Sequence, residues 1–477
     1  MPPLIAECVC WIGIAGLFYL DRDKNVHVSK ALWLPVLWIG LVGSRPPSAW
    51  IGFTPAAGID VQMEGNPVDR LIFQLLLAAG LLVLFHRRKR VKPLLKAGWP
   101  ILLYFSFCLL SVCWSDFPDV SLKRWFKAIS DLVMVLVIVT DADPVGAIKR
   151  VLSRVGFVLL PLSVLFIKYF DALGRAYTPD GEQMNTGVTT NKNMLGVITL
   201  VVSLGALWRL LEIWRAKEDP ARRRHLLAQG VLLAFGLALL QLANSATSRA
   251  CFVLGALLLI TMRRPFFERR PRAVHALVLG VVLAGGLTML LGGEAIIVHA
   301  LGRQTDLTGR TDIWAAVLPS VPNKVVGAGF ESFWLGPRVL AVYERLPRYM
   351  HVNEAHNGYI EVYLNLGWIG VGLIALILFF GYKQAVQAFR RNPPLGGLML
   401  VYVATALLYS ATEAGFRLLD PIWIFLLLAI VGAAGIAHGA IVRTTQTASV
   451  SNSLPAERRE RYGDRRVAWL EARKPVR

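Results

Sequence analysis

Two polar segments hold the residues best suited to chemistry: Gly309-Arg310-Thr311-Asp312-Ile313-Trp314 and His351-Val352-Asn353-Glu354-Ala355-His356-Asn357-Gly358-Tyr359. The guanidinium of Arg310 is a planar fork that matches phosphate oxygens two at a time. A neutral imidazole such as His356 is the usual group for taking the proton of an attacking hydroxyl. Just beyond it, Asn357, Glu361 and Asn365 recur at i, i+4 and i+8 in a segment that is otherwise Tyr359, Val362, Leu364, Leu366 and Ile369. That spacing draws one polar stripe along a helix. A polar stripe that enters a bilayer faces the bundle interior or a wet cavity rather than lipid. His356 stands one residue from the stripe, which puts it at the mouth of such a cavity. A lone histidine is more often structural than catalytic, and the stripe is what shifts the reading toward chemistry. His351 and His299 have no comparable neighbourhood.

The elements that must position these residues are membrane helices. The 477 residues are 55% hydrophobic and only 17% charged, too apolar for a water-soluble domain of this size. Apolar runs near the ~20 residues needed to cross a bilayer recur at 71–85, 94–113, 132–140 (extended back to 128), 151–168, 194–211, 226–243, 251–262, 274–291, 368–380, 396–408 and 422–437. Two more, near 4–20 and 31–43, bring the expected count to about twelve or thirteen. The chain reads as an all-α polytopic membrane protein in four parts. These are N-terminal transmembrane helices (1–291), a large loop with short helices (292–360), C-terminal transmembrane helices (361–438) and a basic tail (439–477). The first run lacks a basic n-region and a small-residue cleavage site, so it reads as a retained span.

The net charge of +20 does not point to nucleic acid, because the cations fall in alternate loops. Arg87-Arg88-Lys89-Arg90, Lys149-Arg150, Arg222-Arg223-Arg224, Arg263-Arg264 with Arg269-Arg270, and Arg390-Arg391 form the positive-inside signature of cytoplasmic loops. The tail, with Arg458-Arg459, Arg461 and Arg465-Arg466, falls on the same side and reads as a solvated or headgroup-contacting segment. The remaining loops, 44–70, 114–127, 169–191, 244–249, 292–360 and 412–420, are then extracytoplasmic.

Positive-inside bias depletes the outer loops of Lys and Arg, so the survivors need a reason. They are Lys123-Arg124 beside Trp125, Lys192, Arg249, Arg310 and Arg417. The bland reading is that each snorkels to lipid phosphate or pairs with Asp116, Asp119, Asp312 or Glu413. A pyrophosphate would engage several at once, each contact worth up to ~4 kcal/mol gross at about 4 Å and an effective dielectric near 20, before desolvation. Five outer loops contribute a cation, which favours the shared-ligand reading for the group.

Other chemistries lack support. There is no Walker loop, HExxH or GxSxG. Asp141-Ala142-Asp143 has DxD spacing but precedes Pro144 in a short basic-side turn, and reads as a turn and helix cap. Val326-Gly327-Ala328-Gly329-Phe330 reads as a tight turn rather than a phosphate loop. Asp116 and Asp119 sit on the outer side, where pairing with Lys123 or Arg124 is the simplest use. Cys8, Cys10, Cys108, Cys113 and Cys251 show no metal-ligand or CxxC spacing and read as small core residues.

At these residues the chain resembles the O-antigen ligase and polymerase superfamily, in particular its exopolysaccharide and lipopolysaccharide branch. The segments that carry the resemblance are Trp114-Ser115-Asp116-Phe117-Pro118, Ser121-Leu122-Lys123-Arg124-Trp125, Thr189-Thr190-Asn191-Lys192-Asn193-Met194-Leu195-Gly196, Thr247-Ser248-Arg249, Gly309 to Trp314, and Ala355-His356-Asn357-Gly358-Tyr359-Ile360-Glu361. The resemblance implies a GT-C-like, metal-independent glycosyltransferase with no cofactor. Its donor would be a glycan on undecaprenyl pyrophosphate at the periplasmic face of the inner membrane. A ligase would pass the glycan to the lipid A-core, a polymerase to another lipid-linked repeat, and the motifs do not separate the two. By motif, Arg310 and His356 take the catalytic roles. Arg249, Lys192, Arg124, Lys123, Asn357 and Glu361 take pyrophosphate or substrate binding. His356 is expected to act as base and Arg310 to neutralise the departing pyrophosphate, with inversion at the anomeric carbon. Rival readings are a transporter of lipid-linked oligosaccharide, which would need repeated halves that are not evident here, and a nonenzymatic partner of an export complex.

Overall fold

The computed structural model describes residues 2–23, 26–52, 65–177, 181–290, 308–347, 352–439 and 441. His299, His351 and nearly all of the basic tail lie outside the described residues. The principal helices are α1 (Pro3–Leu20), α2 (Trp33–Val42), α3 (Pro67–His86), α4 (Arg88–Ala97), α5 (Trp99–Leu110), α6 (Pro118–Val139), α7 (Pro144–Tyr169), α8 (Lys192–Arg215), α9 (Arg222–Leu242), α10 (Ala246–Met262), α11 (Pro271–Leu290), α12 (Thr308–Val317), α13 (Gly358–Arg391), α14 (Pro393–Tyr409) and α15 (Pro421–Ala437). Among the described residues one small hairpin, β1 (Arg175–Tyr177) and β2 (Gln183–Asn185), accompanies the helices.

Local chemistry explains where the helices begin. Proline occupies the first turn of α3, α6, α7, α14 and α15, where its missing N–H costs nothing. Asn66, Asp143, Asn191, Ser245, Asn357, Asn392 and Asp420 cap the helices that follow them through side-chain oxygens. Asp143 is therefore a cap, and Asp141 accepts from Ser29 and Arg87, in line with the turn reading of that pair.

Among the described residues, α1, α3, α7, α8, α9 and α13 are long and apolar enough to cross a membrane, and five shorter apolar helices accompany them. The run at 94–113 is not one straight span. Pro93 inside α4, Gly98 at its end and Pro100 at the start of α5 break it, and the two pieces meet at 87°. The short run at 132–140 belongs to a 22-residue helix, α6, which starts at Pro118 and carries Lys123, Arg124 and Lys127 on its first turns. Most of the expected loop at 114–127 is thus helical. Every residue of α15 is buried, as befits a helix apolar on all sides. It packs against α13, α14 and α6 at the centre of the bundle.

Polar contacts sort the loops into two ends, in the alternation that charge alone suggested. At one end Arg87 pairs with Asp141, Arg150 and Arg209 with Asp21, Lys149 with Glu212, and Arg215 with Glu268. At the other end Arg45 bonds Thr189 O, Asn185 bonds Leu242 O, Thr247 bonds Thr412, and Trp114 bonds Val326 O. Long loops meet only loops of their own set in these contacts. Of the cysteines, Cys108 and Cys251 are buried as expected, whereas Cys8 and Cys113 are exposed.

α13 is two helices joined at Gly367, whose φ of 62° and ψ of −162° lie outside helical space. The glycine turn read from sequence is what fits this break. Ala328 N and Gly329 N donate to Leu364 O and Asn365 O at 3.0 and 2.9 Å, and Trp368 N and Ile369 N donate to Lys324 O and Val325 O at 3.0 and 3.1 Å. Backbone groups freed at a broken helix need partners away from water, and these four bonds supply them. The approach is so close that a Cβ at Gly367 would collide with the Val325 backbone, and one at Gly327 with the Asn365 backbone. Residues 308–347 form a small core of their own, in which Ile313, Val317, Phe333, Trp334, Val342 and Leu346 pack onto Ala355 and Leu364.

Candidate active site

The first half of α13, its preceding loop, α12 and the loop between α14 and α15 converge on one cluster of charges. Asn357 fixes the junction. Its Oδ1 accepts from Tyr359 N and Ile360 N at 3.0 and 3.1 Å, while its Nδ2 donates to Ala411 O at 2.9 Å. Gly358 N adds a 2.7 Å bond to Ser410 O. The loop at 410–420 is thereby locked against the start of α13, with Glu413 and Arg417 facing the residues before it.

Glu413 is the hub. One carboxylate oxygen accepts from Arg310 at 2.9 Å, and the other lies 3.3 Å from both His356 Nδ1 and Asn193 Nδ2. Glu354 flanks the same His356 nitrogen at 3.0 Å and meets Arg417 at 3.4 Å. Arg417 continues to Glu331 at 3.6 Å and Glu361 at 4.0 Å. Glu361 is held by Trp334 Nε1 at 2.7 Å and Ala355 N at 3.0 Å, and Asn365 Oδ1 accepts from Phe333 N at 3.1 Å. The polar stripe of α13 does face inward, and it braces the loop core. The chain of alternating charges has an open side and a floor. Side chains of His356, Glu354, Arg417 and Arg310 keep 29%, 28%, 27% and 20% exposure, against 6% for Glu413 and 3% for Glu361.

The backbone is strained here. His356, Glu331, Leu419 and Asn244 are the non-glycine residues with positive φ among those described, at 46°, 54°, 55° and 49°. All four lie in loops of this end, and sites that must hold side chains in fixed poses are where such conformers concentrate.

Electrostatics bear on the protonation of His356. Burial pulls the imidazole pKa down, but hydrogen bonds and charges from Glu354 and Glu413 outweigh it, and the pKa is pushed up to about 10. Burial also works against the Glu354 charge, yet His356 and Arg417 bring its pKa below the usual carboxylate value. At neutral pH the pair is imidazolium and carboxylate, so a neutral imidazole base is not the resting form. Nδ1 is taken by the two carboxylates, and Nε2 has no hydrogen-bond partner among the described residues.

The other expected residues divide. Arg124 reaches the Glu331 carbonyl and so borders the cluster. Lys192 makes no hydrogen bond among the described residues, although its neighbour Asn193 touches Glu413. Arg249 turns away: Thr247 faces Thr412 at 3.0 Å, and two residues on, across the helix, Arg249 bonds Gln241 and Asn244. Lys123 is exposed and lies in a groove against α3. Asp116 pairs with Arg338, not with Lys123 or Arg124. Glu331, Glu354 and Glu413 were not singled out as site residues by sequence, and Arg417 only as one surviving cation. The available signal was a nine-residue loop, 412–420, that keeps charges of both signs between two apolar helices.

Glu354, His356 and Glu413 place ligand atoms within 4.8 Å of one another, a spacing a metal ion could use. Arg310 and Arg417 already neutralise those carboxylates, which makes this a cation-satisfied cluster.

Residues 229–377, from α9 to the second half of α13, match the family described as O-antigen ligase. That stretch includes Arg249, Arg310, His356, Asn357 and Glu361, but not Glu413 or Arg417. The chain is also similar to the exopolysaccharide production protein ExoQ of Rhizobium meliloti (strain 1021), with 27% identity over 353 residues that cover 71% of this chain and 77% of that protein. With a helical, multi-pass architecture and a charged site at the junction of its long loop, the chain is similar to the O-antigen ligase family of membrane proteins.

Proposed function

We propose that the protein transfers a glycan from undecaprenyl pyrophosphate to an acceptor hydroxyl, without a metal, at the periplasmic face of the bacterial inner membrane. The observation that carries this reading is the Arg310–Glu413–His356 constellation, which holds two partly exposed cations beside carboxylates. The donor pyrophosphate draws Arg310 and the His356 imidazolium away from Glu413. The acceptor oxygen attacks the anomeric carbon and the bond to the pyrophosphate oxygen breaks, with its electron pair leaving on that oxygen. Arg310 and His356 neutralise the growing charge in a partly desolvated site. The hydroxyl proton passes to Glu354, the more exposed carboxylate. One displacement inverts the anomeric configuration. His356 acts in this scheme as a cation rather than a base.

The positive-inside alternation supports a periplasmic site and a cytoplasmic tail. The proposed parts remain N-terminal helices to 291, a periplasmic loop at 292–360, C-terminal helices to 438 and the tail. Two acceptors fit the family: the lipid A-core for a ligase, or a second lipid-linked repeat for a polymerase. The exopolysaccharide role in the name of the ExoQ relative favours the polymerase.

The test is transfer by purified protein in liposomes. Arg310→Ala should insert normally and lose ~10²–10³-fold in turnover, the usual effect of removing one charge-stabilising donor. Lysine at 310 should rescue only partly, since it lacks the bidentate fork. Wild-type turnover by Arg310→Ala would remove the assignment.

A further inference from the structure

A groove runs between α3 and α6, on the other side of α6 from Arg124. Its upper end is lined by Arg70, Phe73, Lys123, Phe126, Lys127 and Ser130. Lys123 and Lys127 are four residues apart and share one helix face, while Arg124, a step around the helix, points to the Glu331 carbonyl. Lys127 lies over the Phe73 ring at 5.9 Å. None of Arg70, Lys123 and Lys127 closes a salt bridge among the described residues. The nearby Asp69 carboxylate is engaged by Ser48 N and Oγ at 2.7 and 2.9 Å.

Next to this charged groove, between the same two helices, lies a second and apolar one. Leu77 and Ser130 line the charged end, and Ala78 and Ile129, their chain neighbours, begin an apolar trough of about 680 Å³. Leu132, Val133 and Leu136 of α6 form one wall, and Val91 and Leu102 of the bent α4–α5 pair close the bottom. From Lys123 to Leu136 the helix rises about 20 Å, most of a ~30 Å hydrocarbon core. An apolar helix face in a membrane needs only ordinary lipid. Three cations without a salt bridge among the described residues, beside an apolar trough, suit an anion that carries one tail.

We propose that this groove seats the acceptor of the transfer reaction as a second polyprenyl-pyrophosphate-linked glycan. This rests on the reading given under Proposed function. The donor pyrophosphate is the leaving group, so it must sit at the Arg310–His356 cluster. An acceptor attacks through a hydroxyl that its own glycan separates from its lipid phosphate. Its pyrophosphate therefore belongs at a distance from the cluster, on the same end of the bundle, where Arg70, Lys123 and Lys127 lie. Three positive charges suit a pyrophosphate better than a phosphodiester, and one lane suits one isoprenoid tail better than the several acyl chains of a lipid A-core.

The experiment uses the full chain in phosphatidylcholine nanodiscs with a polyprenyl pyrophosphate that carries a photoactivatable diazirine in its tail. Labelling should map to peptides of α3 and α6, and unlabelled polyprenyl pyrophosphate should compete. Lys123→Gln/Lys127→Gln should weaken capture ~10-fold or more, the loss expected when two phosphate contacts go. Ala78→Trp, at an exposed trough position, should block tail labelling without altering any charge. Arg310→Ala should keep the groove label. Equal competition by phosphatidylglycerol would reduce the groove to an ordinary lipid contact and overturn the proposal. So would labelling confined to peptides 308–317 and 410–420, or loss of the groove label in Arg310→Ala. Because capture needs no turnover, a failed transfer assay and a failed groove are separate results.

Discussion

The charge state of His356 can be tested by removing one of its two carboxylates. Glu413→Gln preserves shape but replaces an anion that touches Arg310 at 2.9 Å and His356 Nδ1 at 3.3 Å. The imidazole pKa stands at about 10, against 6.5 for the free group. That rise is shared by Glu354 at 3.0 Å and Glu413 at 3.3 Å, so the loss of Glu413 should take away a little under half of it. His356 is 29% exposed, and solvent screening trims the change further. A fall of ~1–2 pH units is expected, or ~1.4–2.7 kcal/mol at 1.36 kcal/mol per unit. The assay is the titration of ¹⁵N-histidine signals in detergent-solubilised protein, with His356 assigned by its absence in His356→Gln. The pH dependence of transfer should move with it. If imidazolium is the working form, activity is kept below the folded pKa and is lost as pH rises through about 10 in the wild type, and earlier in Glu413→Gln. A wild-type His356 that titrates near 6.5, with activity that falls as pH drops, would refute this reasoning and restore the neutral base.

Three further outcomes follow from the same geometry. Gly367→Ala puts a Cβ against the Val325 backbone at a φ of 62°, and should cost ~1–3 kcal/mol; thermal unfolding in detergent measures it, and an unchanged midpoint would contradict the broken-helix account. In a cysteine-free background, a cysteine replacing the exposed Glu344 should react with a membrane-impermeant maleimide in intact cells, and one replacing Lys217 only after the inner membrane is opened; the reverse pattern would invert the topology. A chelator should leave turnover unchanged, because Arg310 and Arg417 occupy the carboxylates a divalent ion would need; loss of activity that zinc or magnesium restores would establish a metal site instead.

Much of the bundle is legible in the chain because each span carries its own signal. Apolar runs, N-cap residues and first-turn prolines are local, so the helices begin near the positions the residues suggest. The misses are equally local. Gly98 and Pro100 lie inside one apolar run and Pro93 just before it, although together they mark the 87° break. The charges of α6 hid a helix whose apolar run, at 132–140, starts well after Pro118, because Lys123, Arg124 and Lys127 lower the window average without disturbing helix formation.

For the site, the sequence by itself determined that His356 and the stripe of Asn357, Glu361 and Asn365 face inward, since polar groups at a membrane helix end must do so. It also determined which loops share an end, because basic residues mark alternate connections. Only the tertiary structure decided what these residues meet. Glu413 lies 57 positions from His356 and 103 from Arg310, and no local pattern encodes a contact across such separations. Charge in a polar loop says nothing of its partner, whereas the packing of α13 against α14 and α15 brings the carboxylate to within 3.3 Å of the imidazole. That contact, together with Glu354 at 3.0 Å, raises the imidazole pKa of His356.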